Sequence, residues 1–193
     1  MEMKIDRIIN KDIDMLKTDN AVLVVVDVQG RLATLMYQRE QFFQNMVTMI
    51  KGCRVLDIPI LWNEQLPDKL GQTIPEISEE LSDMTPMIKK TFSCCGNEEF
   101  NRALKKSGRR QILLTGMETH VCVYQTAIDL IAAGYEVYLV ADCVSSRTAD
   151  NRQIGIQAIR DLGAKICSIE MAFFEMLQVA EGDKFKQIIK IVK

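Results

Sequence analysis

The sequence predicts an α/β fold in which helices cover both faces of a six-stranded parallel sheet. Short segments rich in aliphatic and β-branched residues run almost without polar interruption, as strands buried on both faces do. Between them lie stretches whose apolar residues recur at helical spacing, and this alternation is typical of right-handed βαβ units. For six such strands the commonest spatial order is 3-2-1-4-5-6.

The composition narrows the class of protein. The chain has 193 residues and a formal net charge of −2, so we expect one domain spanning residues 1–193 and no binding of nucleic acid or anionic membrane. No apolar run approaches the ~20 residues of a membrane helix, and charges interrupt the N-terminus too often for a signal peptide. We therefore expect a cytoplasmic protein.

The two ends of the chain bear on assembly. Apolar residues at roughly helical spacing indicate that residues 1–20 form a short amphipathic arm, which packs on the body or on a second subunit. The tail has similar apolar helical segments. These features favour a homo-oligomer.

Six cysteines and one histidine set the expectations for redox chemistry and metals. In a cytoplasmic protein the cysteines are expected to be thiols. Their irregular spacing, with Cys94 and Cys95 adjacent, fits neither a zinc site nor a CxxC redox motif. The single histidine, His120, argues against a histidine-based metal site. We predict no metal and no cofactor.

The first part of the chain contains two predicted strands. The run 21–27, AVLVVVD, predicts a buried strand with Asp27 at its carboxyl end. A helix is predicted over residues 39–57 and the second strand over 58–62. The Pro- and Gly-containing stretch 64–77 is expected to be a long loop, and one interpretation makes it a lid over a site.

The central part of the chain carries the main candidate for chemistry. A weak third strand is predicted over residues 87–90, and Asn97 is the predicted N-cap of the following helix. The apolar run 112–114 predicts the fourth strand, after which Gly116 allows a sharp turn. A helix then begins near Cys122.

The last third continues the alternation. The helix that carries the cysteine ends at Gly134. A fifth strand is predicted over 136–141, a helix over 149–162 and a sixth strand over 164–168, and the tail ends in helical segments.

The predicted topology brings distant residues together. Such sheets bind ligands beyond the carboxyl ends of the strands, where the strand order reverses. Strands 1 and 4 are neighbours at that point, so Asp27 and Cys122 should face one crevice. Lys89 or Lys90 is the third candidate, and only one of them can face the crevice, because adjacent strand residues point to opposite sides. Taken singly, Asp27 has the structural alternative of a helix or turn cap, and each lysine has that of a solvated strand end.

The expected place of Cys122 favours a reactive thiol. In the first turn of a helix, the helix dipole and free backbone N–H groups would lower the thiol pKa. A nearby carboxylate could take the thiol proton, and a nearby ammonium would lower the cost of the resulting anion. The alternative is a small apolar cysteine in the core.

Five motifs follow one another between residues 24 and 147, and the resemblance that they carry covers roughly residues 20–190. They are VVVDVQGRL, WNEQLPDKLGQTIPEI, KKTFS, GMETHVCVYQTA and ADCVSSR. Together they resemble the isochorismatase-like cysteine hydrolase family, and most closely its isochorismatase-domain-containing branch. The resemblance implies a three-layer α/β/α sandwich. It also implies an Asp–Lys–Cys triad of Asp27, Lys89 and Cys122, with Lys90 as the alternative lysine.

The resemblance also implies a reaction and its substrate pocket. A small amide or related C–N bond would be hydrolysed through a thioester on Cys122, with Asp27 moving the protons. A cis peptide between Met117 and Glu118 would turn the backbone N–H groups of Glu118 and Cys122 into an oxyanion hole. The residues expected to line the substrate pocket are Glu64, Gln65, Phe92, Met117 and Tyr124.

Departures from metal-dependent relatives limit what the resemblance implies. Nicotinamidases of the superfamily bind a metal through an Asp-x-His motif where this chain reads WNEQ, which argues against a metal and against that activity. His120 is expected to bond the backbone or line the pocket rather than form a Cys–His dyad. Cys94 is expected to be buried, and Asp142 and Arg147 are expected to pair structurally.

Two other functions stay open. One is a binding or scaffold protein that retains the fold without turnover. The other is a thiol redox sensor centred on Cys122, for which Cys94, Cys95 or Cys143 would have to approach as the resolving cysteine. The sequence does not identify the small-molecule substrate.

Overall fold

The computed structural model describes residues 15–193, and a single six-stranded sheet organises this part of the chain. The strands are β1 (Ala21–Val26), β2 (Ile60–Gln65), β3 (Met87–Lys89), β4 (Gln111–Met117), β5 (Glu136–Ser145) and β6 (Lys165–Cys167). They lie in the order 3-2-1-4-5-6, and every neighbouring pair is parallel. The predicted fold class is confirmed, whereas one domain over residues 1–193 stays a prediction.

Helices connect the strands and cover both faces of the sheet. They are α1 (Gly30–Ala33), α2 (Arg39–Val55), α3 (Pro67–Leu70), α4 (Pro75–Ser78), α5 (Glu98–Ser107), α6 (Tyr124–Ala132), α7 (Ala149–Asp161), α8 (Ile169–Leu177) and α9 (Gly182–Val192). The helices predicted over 39–57 and 149–162 are α2 and α7, with ends that agree within two residues. Asn97 caps α5 as predicted, because its Oδ1 accepts the Glu99 backbone N–H at 2.8 Å.

Alternate strand residues divide the core into two clusters, one on each face of the sheet. In β1, Leu23 and Val25 pack in the cluster that Phe173 of α8 joins, on the side of α2, α8 and α9. Val24 belongs to the other cluster with Phe100 of α5, on the side of α5, α6 and α7. The result is the three-layer α/β/α sandwich.

Residues 15–20 differ from the helical arm predicted over 1–20. They form no helix, and the rest of the arm, residues 1–14, lies outside the described residues. Leu16 is fully buried, and its backbone N–H donates to Glu175 Oε1 at 2.7 Å. This segment therefore packs on the body of the protein, and a buried side chain with long-range contacts replaces the amphipathic pattern.

Three strand features also depart from the predictions. β2 continues to Gln65 instead of ending at residue 62, and β5 continues to Ser145 instead of ending at residue 141. Gly116 lies inside β4 rather than at a turn after it. Its φ is 132°, and a Cβ there would collide with the Val26 carbonyl oxygen of β1. Glycine is therefore needed for the close approach of β1 and β4.

Candidate active site

Four elements bring polar side chains together at the carboxyl edge of the sheet. Asp27 follows β1, Gln65 ends β2, Lys89 ends β3, and Cys122 lies in the turn between β4 and α6. The strand register aligns Gln65 with Lys89, and β4 is the neighbour of β1. Lys89 is buried, whereas Lys90 is exposed. The lysine that faces the crevice is thus Lys89.

Lys89 holds Asp27 in a buried ion pair. Its Nζ lies 2.5 Å from Asp27 Oδ2, 2.8 Å from the Phe92 carbonyl oxygen and 3.0 Å from the Thr91 carbonyl oxygen. Gln65 Oε1 is a more distant fourth acceptor, at 3.4 Å. The ammonium is therefore surrounded by protein oxygens and compensates the charge of the carboxylate.

Asp27 has one committed and one free carboxylate oxygen. Its backbone lies in the left-handed region with a φ of 53°, which Asp adopts more readily than most residues. While Oδ2 binds Lys89, Oδ1 has no hydrogen-bond partner among the described residues. Burial raises the pKa of Asp27, and the charge and hydrogen bond of Lys89 oppose this rise. Such a carboxylate is suited to accept a proton.

Cys122 lies in a π-helical turn, Thr119–Val123, that leads directly into α6. Its side chain is buried, with Sγ 3.4 Å from Gln65 Oε1. Burial raises the pKa of the Cys122 thiol to about 12, the charge of Asp27 adds to the rise, and Lys89 opposes it. The predicted lowering of the thiol pKa is therefore wrong for the free protein, because desolvation and the carboxylate outweigh the helix dipole and the ammonium.

The turn before Cys122 also differs from the expectation. All peptide bonds of the described residues are trans, so the expected cis bond between Met117 and Glu118 is wrong. Glu118 instead adopts the left-handed conformation, with φ 56° and ψ 59°, and the π-helical turn follows at once. A left-handed residue followed by a wide turn redirects the chain without a cis bond.

Glu118 is held close to the site by Arg147. Its Oε1 accepts from the Arg147 backbone N–H at 3.3 Å and from Nε at 3.2 Å. His120 Nε2 lies 3.7 Å from Glu118 Oε2, and His120 Nδ1 lies 3.1 Å from Ser146 Oγ. In the described part of the chain, no hydrogen bond joins His120 to Cys122. The histidine belongs to this polar group and does not form a dyad with the thiol.

The other predicted lining residues have different surroundings. Glu64 is buried, and its Oε1 accepts the Thr73 backbone N–H at 2.6 Å. Met117 is buried in the core cluster on the face opposite to that of Cys122, so its side chain belongs to the core rather than to the site. Phe92 is half-exposed, and Tyr124 is partly buried against the cluster that contains Cys122.

The second half of the stretch 64–77 is fixed to the body. The Gly30 backbone N–H donates to the Gln72 carbonyl oxygen at 2.9 Å, and the Ile74 N–H donates to the Val28 carbonyl oxygen at 3.1 Å. These bonds tie residues 71–74 to the segment that follows β1. The stretch is also not one long loop as predicted, because it contains the end of β2, α3 and most of α4, whereas the lid interpretation stays a prediction.

Gln29 is a site residue that the sequence reasoning missed. It is fully buried, and its Oε1 accepts the Gln65 backbone N–H at 2.6 Å. Its Nε2 donates to the carbonyl oxygens of Gln65, at 3.2 Å, and Gly71, at 2.6 Å. The sequence feature that could have indicated its role is that Gln29 is a polar residue two positions beyond Asp27, next to the carboxyl end of the same strand.

Other candidates from the sequence have structural partners. Cys94 is fully buried, and its backbone N–H donates to Thr126 Oγ1 at 3.0 Å, which itself donates to the Cys122 carbonyl oxygen at 2.7 Å. Asp142 accepts the Ile169 backbone N–H at 3.1 Å at the start of α8, so its partner is a helix end rather than an arginine. The ion-pair partner of Arg147 is instead Glu118.

The described residues offer neither a metal-binding cluster nor a membrane-spanning helix. Within residues 15–193, no group of three or more His, Cys, Asp or Glu side chains could hold a metal ion. Over the same range, no helix combines the length and apolar character needed to cross a membrane.

Known proteins have sequences similar to that of this chain. The family described as the isochorismatase domain matches residues 21–171. The secreted isochorismatase effector Isc1 of Phytophthora sojae (strain P6497) is 37% identical over 178 residues, covering 90% of this chain and 85% of that protein. Isochorismatase domain-containing protein 2 of Danio rerio is 33% identical over 181 residues, covering 93% of this chain and 90% of that protein.

Solved structures share the fold. The MAR1 ribonuclease of Caenorhabditis elegans matches with a TM-score of 0.86 at 31% identity, over 93% of this chain and 92% of that one. The YcaC gene product of Escherichia coli, an octameric hydrolase of unknown specificity, matches with a TM-score of 0.86 over 92% of this chain and 88% of that one. Its identity is 20%, so it shows the fold alone. By the family match and the relatives above 30% identity, the chain belongs to the isochorismatase-like hydrolase family, in the branch of the isochorismatase domain-containing proteins.

Proposed function

We propose that the protein is a metal-independent cysteine hydrolase that cleaves a small amide or a related C–N bond through a thioester on Cys122. One observation carries the proposal. Lys89 occupies one oxygen of the buried Asp27 carboxylate and leaves the other without a partner. That free oxygen is available for the proton of the Cys122 thiol, which interacts with the same carboxylate.

Acylation begins when the Cys122 sulfur attacks the carbonyl carbon of the substrate. Asp27 takes the thiol proton during this attack, because burial raises the pKa of the thiol to about 12 and the free protein holds it protonated. The backbone N–H groups of Glu118 and Cys122 are the proposed oxyanion donors, and one such donor is typically worth ~10²–10³ in rate. Asp27 then gives the proton to the leaving nitrogen, and the C–N bond breaks.

Deacylation reverses the roles with water in place of the amine. Water attacks the thioester carbon while Asp27 accepts a proton from it. The C–S bond then breaks, and the sulfur recovers the proton from Asp27. The products are a carboxylic acid and the free Cys122 thiol. Throughout the cycle the Lys89 ammonium stabilises the ionised form of Asp27.

Turnover of a panel of small amides, ureas and carbamoyl compounds tests the proposal, with release of ammonia or amine as the readout. We expect Cys122→Ala and Asp27→Asn to lower kcat by about 10³ or more, because each removes a group that acts in every step. Cys95→Ala, which removes a partly exposed thiol outside the proposed triad, should leave kcat unchanged. Retained turnover in Cys122→Ala would refute the proposal.

Trapping of the intermediate supplies a second readout. Acid quenching during turnover should leave the acyl group on the Cys122 peptide, where peptide mass spectrometry detects the added mass. Hydroxylamine should remove it, as expected for a thioester. If the panel yields neither turnover nor acylation, the binding or scaffold alternative is favoured instead.

The redox-sensor alternative has less support. The thiolate is the form that peroxide oxidises. Burial raises the pKa of Cys122 to about 12 and that of Cys95 to about 11, and it also raises the pKa of Cys94. A peroxide titration that yields no reversible disulfide at Cys122 would eliminate this alternative.

A homo-oligomer and a cytoplasmic location are further proposals. The octameric relative from Escherichia coli shares the fold, and large apolar side chains such as Phe92 and Ile154 are exposed on the surface. Light scattering coupled to size exclusion measures the assembly directly. Because the Phytophthora sojae relative is named as a secreted effector, fractionation of cells and medium is needed to test the location.

A further inference from the structure

The Gln65 side-chain oxygen lies in the buried site and makes only long hydrogen bonds there. Gln65 is 9% exposed, and its Oε1 lies 3.4 Å from Cys122 Sγ and 3.4 Å from Lys89 Nζ. An ammonium has three N–H groups, and three other acceptors lie closer to Lys89 than Gln65 does. Gln65 Oε1 is therefore an acceptor beside the nucleophile that no strong donor occupies.

The backbone of Gln65, in contrast, is firmly held. Its N–H and its carbonyl oxygen are both bonded to the side-chain amide of Gln29, at 2.6 and 3.2 Å. Gln29 is fully buried and acts here as a neighbouring strand would. The nearby Lys89 ammonium also determines which end of the Gln65 carboxamide faces the site, because it repels the amide N–H groups. The free acceptor thus projects from a fixed backbone.

We propose that Gln65 is a specificity-determining residue whose Oε1 accepts a hydrogen bond from an N–H on the leaving nitrogen of the substrate. The inference rests on the proposed function and narrows it to primary and secondary amides or carbamoyl compounds. The carbon that Cys122 Sγ attacks carries that nitrogen, so an acceptor 3.4 Å from Sγ is within its reach. Fully substituted amides and esters lack the N–H and lose this bond.

The same contact would orient the leaving nitrogen for proton transfer. Asp27 is the proposed acid, and it must meet the lone pair of this nitrogen rather than an N–H. A hydrogen bond to Gln65 would occupy the N–H and leave the lone pair of the nitrogen for Asp27, which is the other side-chain acceptor at Lys89. Gln65 therefore favours the geometry in which the C–N bond breaks.

Paired alkylating reagents test this contact without knowledge of the natural substrate. Iodoacetamide carries an amide NH₂ one carbon beyond the methylene carbon that Cys122 attacks, whereas 2-iodo-N,N-dimethylacetamide has the same electrophile and no N–H. With either reagent an S–C bond forms at Cys122, iodide leaves, and the thiol proton passes to Asp27 or solvent. The readout is the ratio of the two second-order rates at Cys122, by peptide mass spectrometry, divided by the same ratio for free cysteine.

We expect wild-type protein to favour iodoacetamide by about tenfold, as one buried hydrogen bond allows. Gln65→Met, of similar length but without an acceptor, should reduce the ratio to about 1–2. Gln65→Glu keeps an acceptor and should retain the preference to within about twofold. Gln187→Met, an exposed substitution in α9, is the matched control and should leave the ratio unchanged.

An equal ratio in wild type and Gln65→Met overturns the proposal, because exclusion of the bulkier reagent by size alone would persist in that variant. Failure of the hydrolase proposal has a different signature. In that case the amide panel gives no turnover, while the alkylation ratio still responds to Gln65→Met. Circular dichroism and thermal unfolding identify any variant that fails to fold, and Gln65→Leu, which also lacks an acceptor and should likewise reduce the ratio to about 1–2, then takes the place of Gln65→Met.

Gln29 is a positioning residue in this scheme, since it contacts the Gln65 backbone and not the thiol. Gln29→Met should lower the alkylation ratio in the same direction as Gln65→Met. Gln29→Glu keeps an oxygen that accepts the Gln65 N–H, so it should recover part of the preference. A purely structural role would change the unfolding temperature and leave the ratio at its wild-type value.

Discussion

At the residue scale, one ammonium acts on two groups that compete for protons. Burial raises the pKa of both Asp27 and Cys122, and Lys89 opposes the rise in both. The charge of Asp27 has the opposite effect on Cys122, because a carboxylate disfavours a second anion beside it. Substitution of Asp27 and substitution of Lys89 should therefore move the pKa of the Cys122 thiol in opposite directions.

The pH dependence of Cys122 alkylation by iodoacetamide tests this competition. Asp27→Asn should move the alkylation midpoint to lower pH, because the carboxylate charge that raises the thiol pKa is lost. Its turnover should still fall by about 10³ or more, since the proton acceptor is lost as well. Lys89→Met should move the midpoint upward, and Lys90→Met, at the exposed neighbour, should leave it in place. A higher midpoint in Asp27→Asn would contradict the assigned signs.

The ion pair between Asp27 and Lys89 should also affect the free energy of unfolding. Lys89→Met leaves a buried carboxylate without its partner, which typically costs ~3–5 kcal/mol of unfolding free energy. The double variant Asp27→Asn/Lys89→Met should cost less than this single change, because the uncompensated charge is gone and Asn tolerates the left-handed backbone. Urea denaturation measures both, with Lys90→Met as a control expected within ~0.5 kcal/mol of wild type. Simple additivity of the two changes would show that the pair is not coupled.

At the element scale, helix α7 supports the turn that carries Cys122. Gly155 in the middle of α7 faces the backbone of this turn, and a Cβ there would lie 2.7 Å from His120 N and 2.8 Å from the Thr119 carbonyl carbon. No side chain separates the helix from the turn at this point. The position of Cys122 therefore depends on a glycine that is distant in sequence.

Gly155→Ala tests this support. In an exposed helix, Gly→Ala is expected to stabilise by about 1 kcal/mol, so a loss of stability or activity reports the collision with the turn. We expect kcat/KM to fall by up to ~10² as the nucleophile is displaced. Gly52→Ala in α2 is the matched control, because its Cβ would meet the Phe173 ring in the core on the other face of the sheet.

The two glycine variants should separate stability from activity. Gly52→Ala should lower the unfolding temperature without changing kcat/KM below that temperature, whereas Gly155→Ala should change kcat/KM even where the protein is fully folded. Equal kcat/KM in Gly155→Ala and wild type would mean that the turn tolerates the displacement.

The elements differ in how far the sequence could predict them. The run 21–27 predicts only one kind of element, because a continuous β-branched stretch is typical of a strand that is covered on both faces. From it follow the parallel sheet and the meeting of Asp27 with Cys122. The left-handed Glu118 and the π-helical turn could not be predicted locally, since they depend on packing against Gly155.

The pKa of the Cys122 thiol also could not be predicted from the local sequence pattern. The position of Cys122 at a helix start predicts a lowered thiol pKa only if the thiol remains in contact with water. Here desolvation raises the pKa, and depth of burial is a property of the assembled sheet and helices. The hydrogen bonds between the Gln29 side chain and the Gln65 backbone could not be predicted from the local pattern either, because they join residues 36 positions apart.

At the scale of the whole molecule, the cysteines share one property. All six are free thiols, and all but the partly buried Cys95 lie in the buried core. Burial raises the pKa of Cys95 to about 11 and those of Cys122 and Cys167 to about 12, and it raises those of Cys53, Cys94 and Cys143. The folded protein therefore holds its thiols protonated at pH values where the unfolded chain has begun to ionise them.

The sign of the resulting pH effect follows from proton binding. The ordinary thiol pKa is 9.0, and above it the unfolded chain binds fewer protons than the folded protein does. The unfolding free energy must then decrease as the pH rises. This contribution to stability is fully present below the unfolded pKa and is lost as the pH rises toward the folded pKa, which for Cys167 is about 12.

Urea denaturation between about pH 8 and pH 10.5, in the presence of a reductant, should therefore show a steep fall in the unfolding free energy, with each thiol contributing roughly 2 kcal/mol over that range. Cys167→Ala removes one such group and should reduce the fall by about this amount, although its stability at pH 8 is lower because of lost packing. Ile166→Val, at the neighbouring residue, also loses packing but no titrating group, so its pH dependence should match that of wild type. An unfolding free energy that stays constant across this range would mean that the thiols are hydrated in the folded protein. The raised pKa of Cys122 would then be wrong as well. The proposed order of proton transfer in acylation depends on that raised pKa and would have to be abandoned.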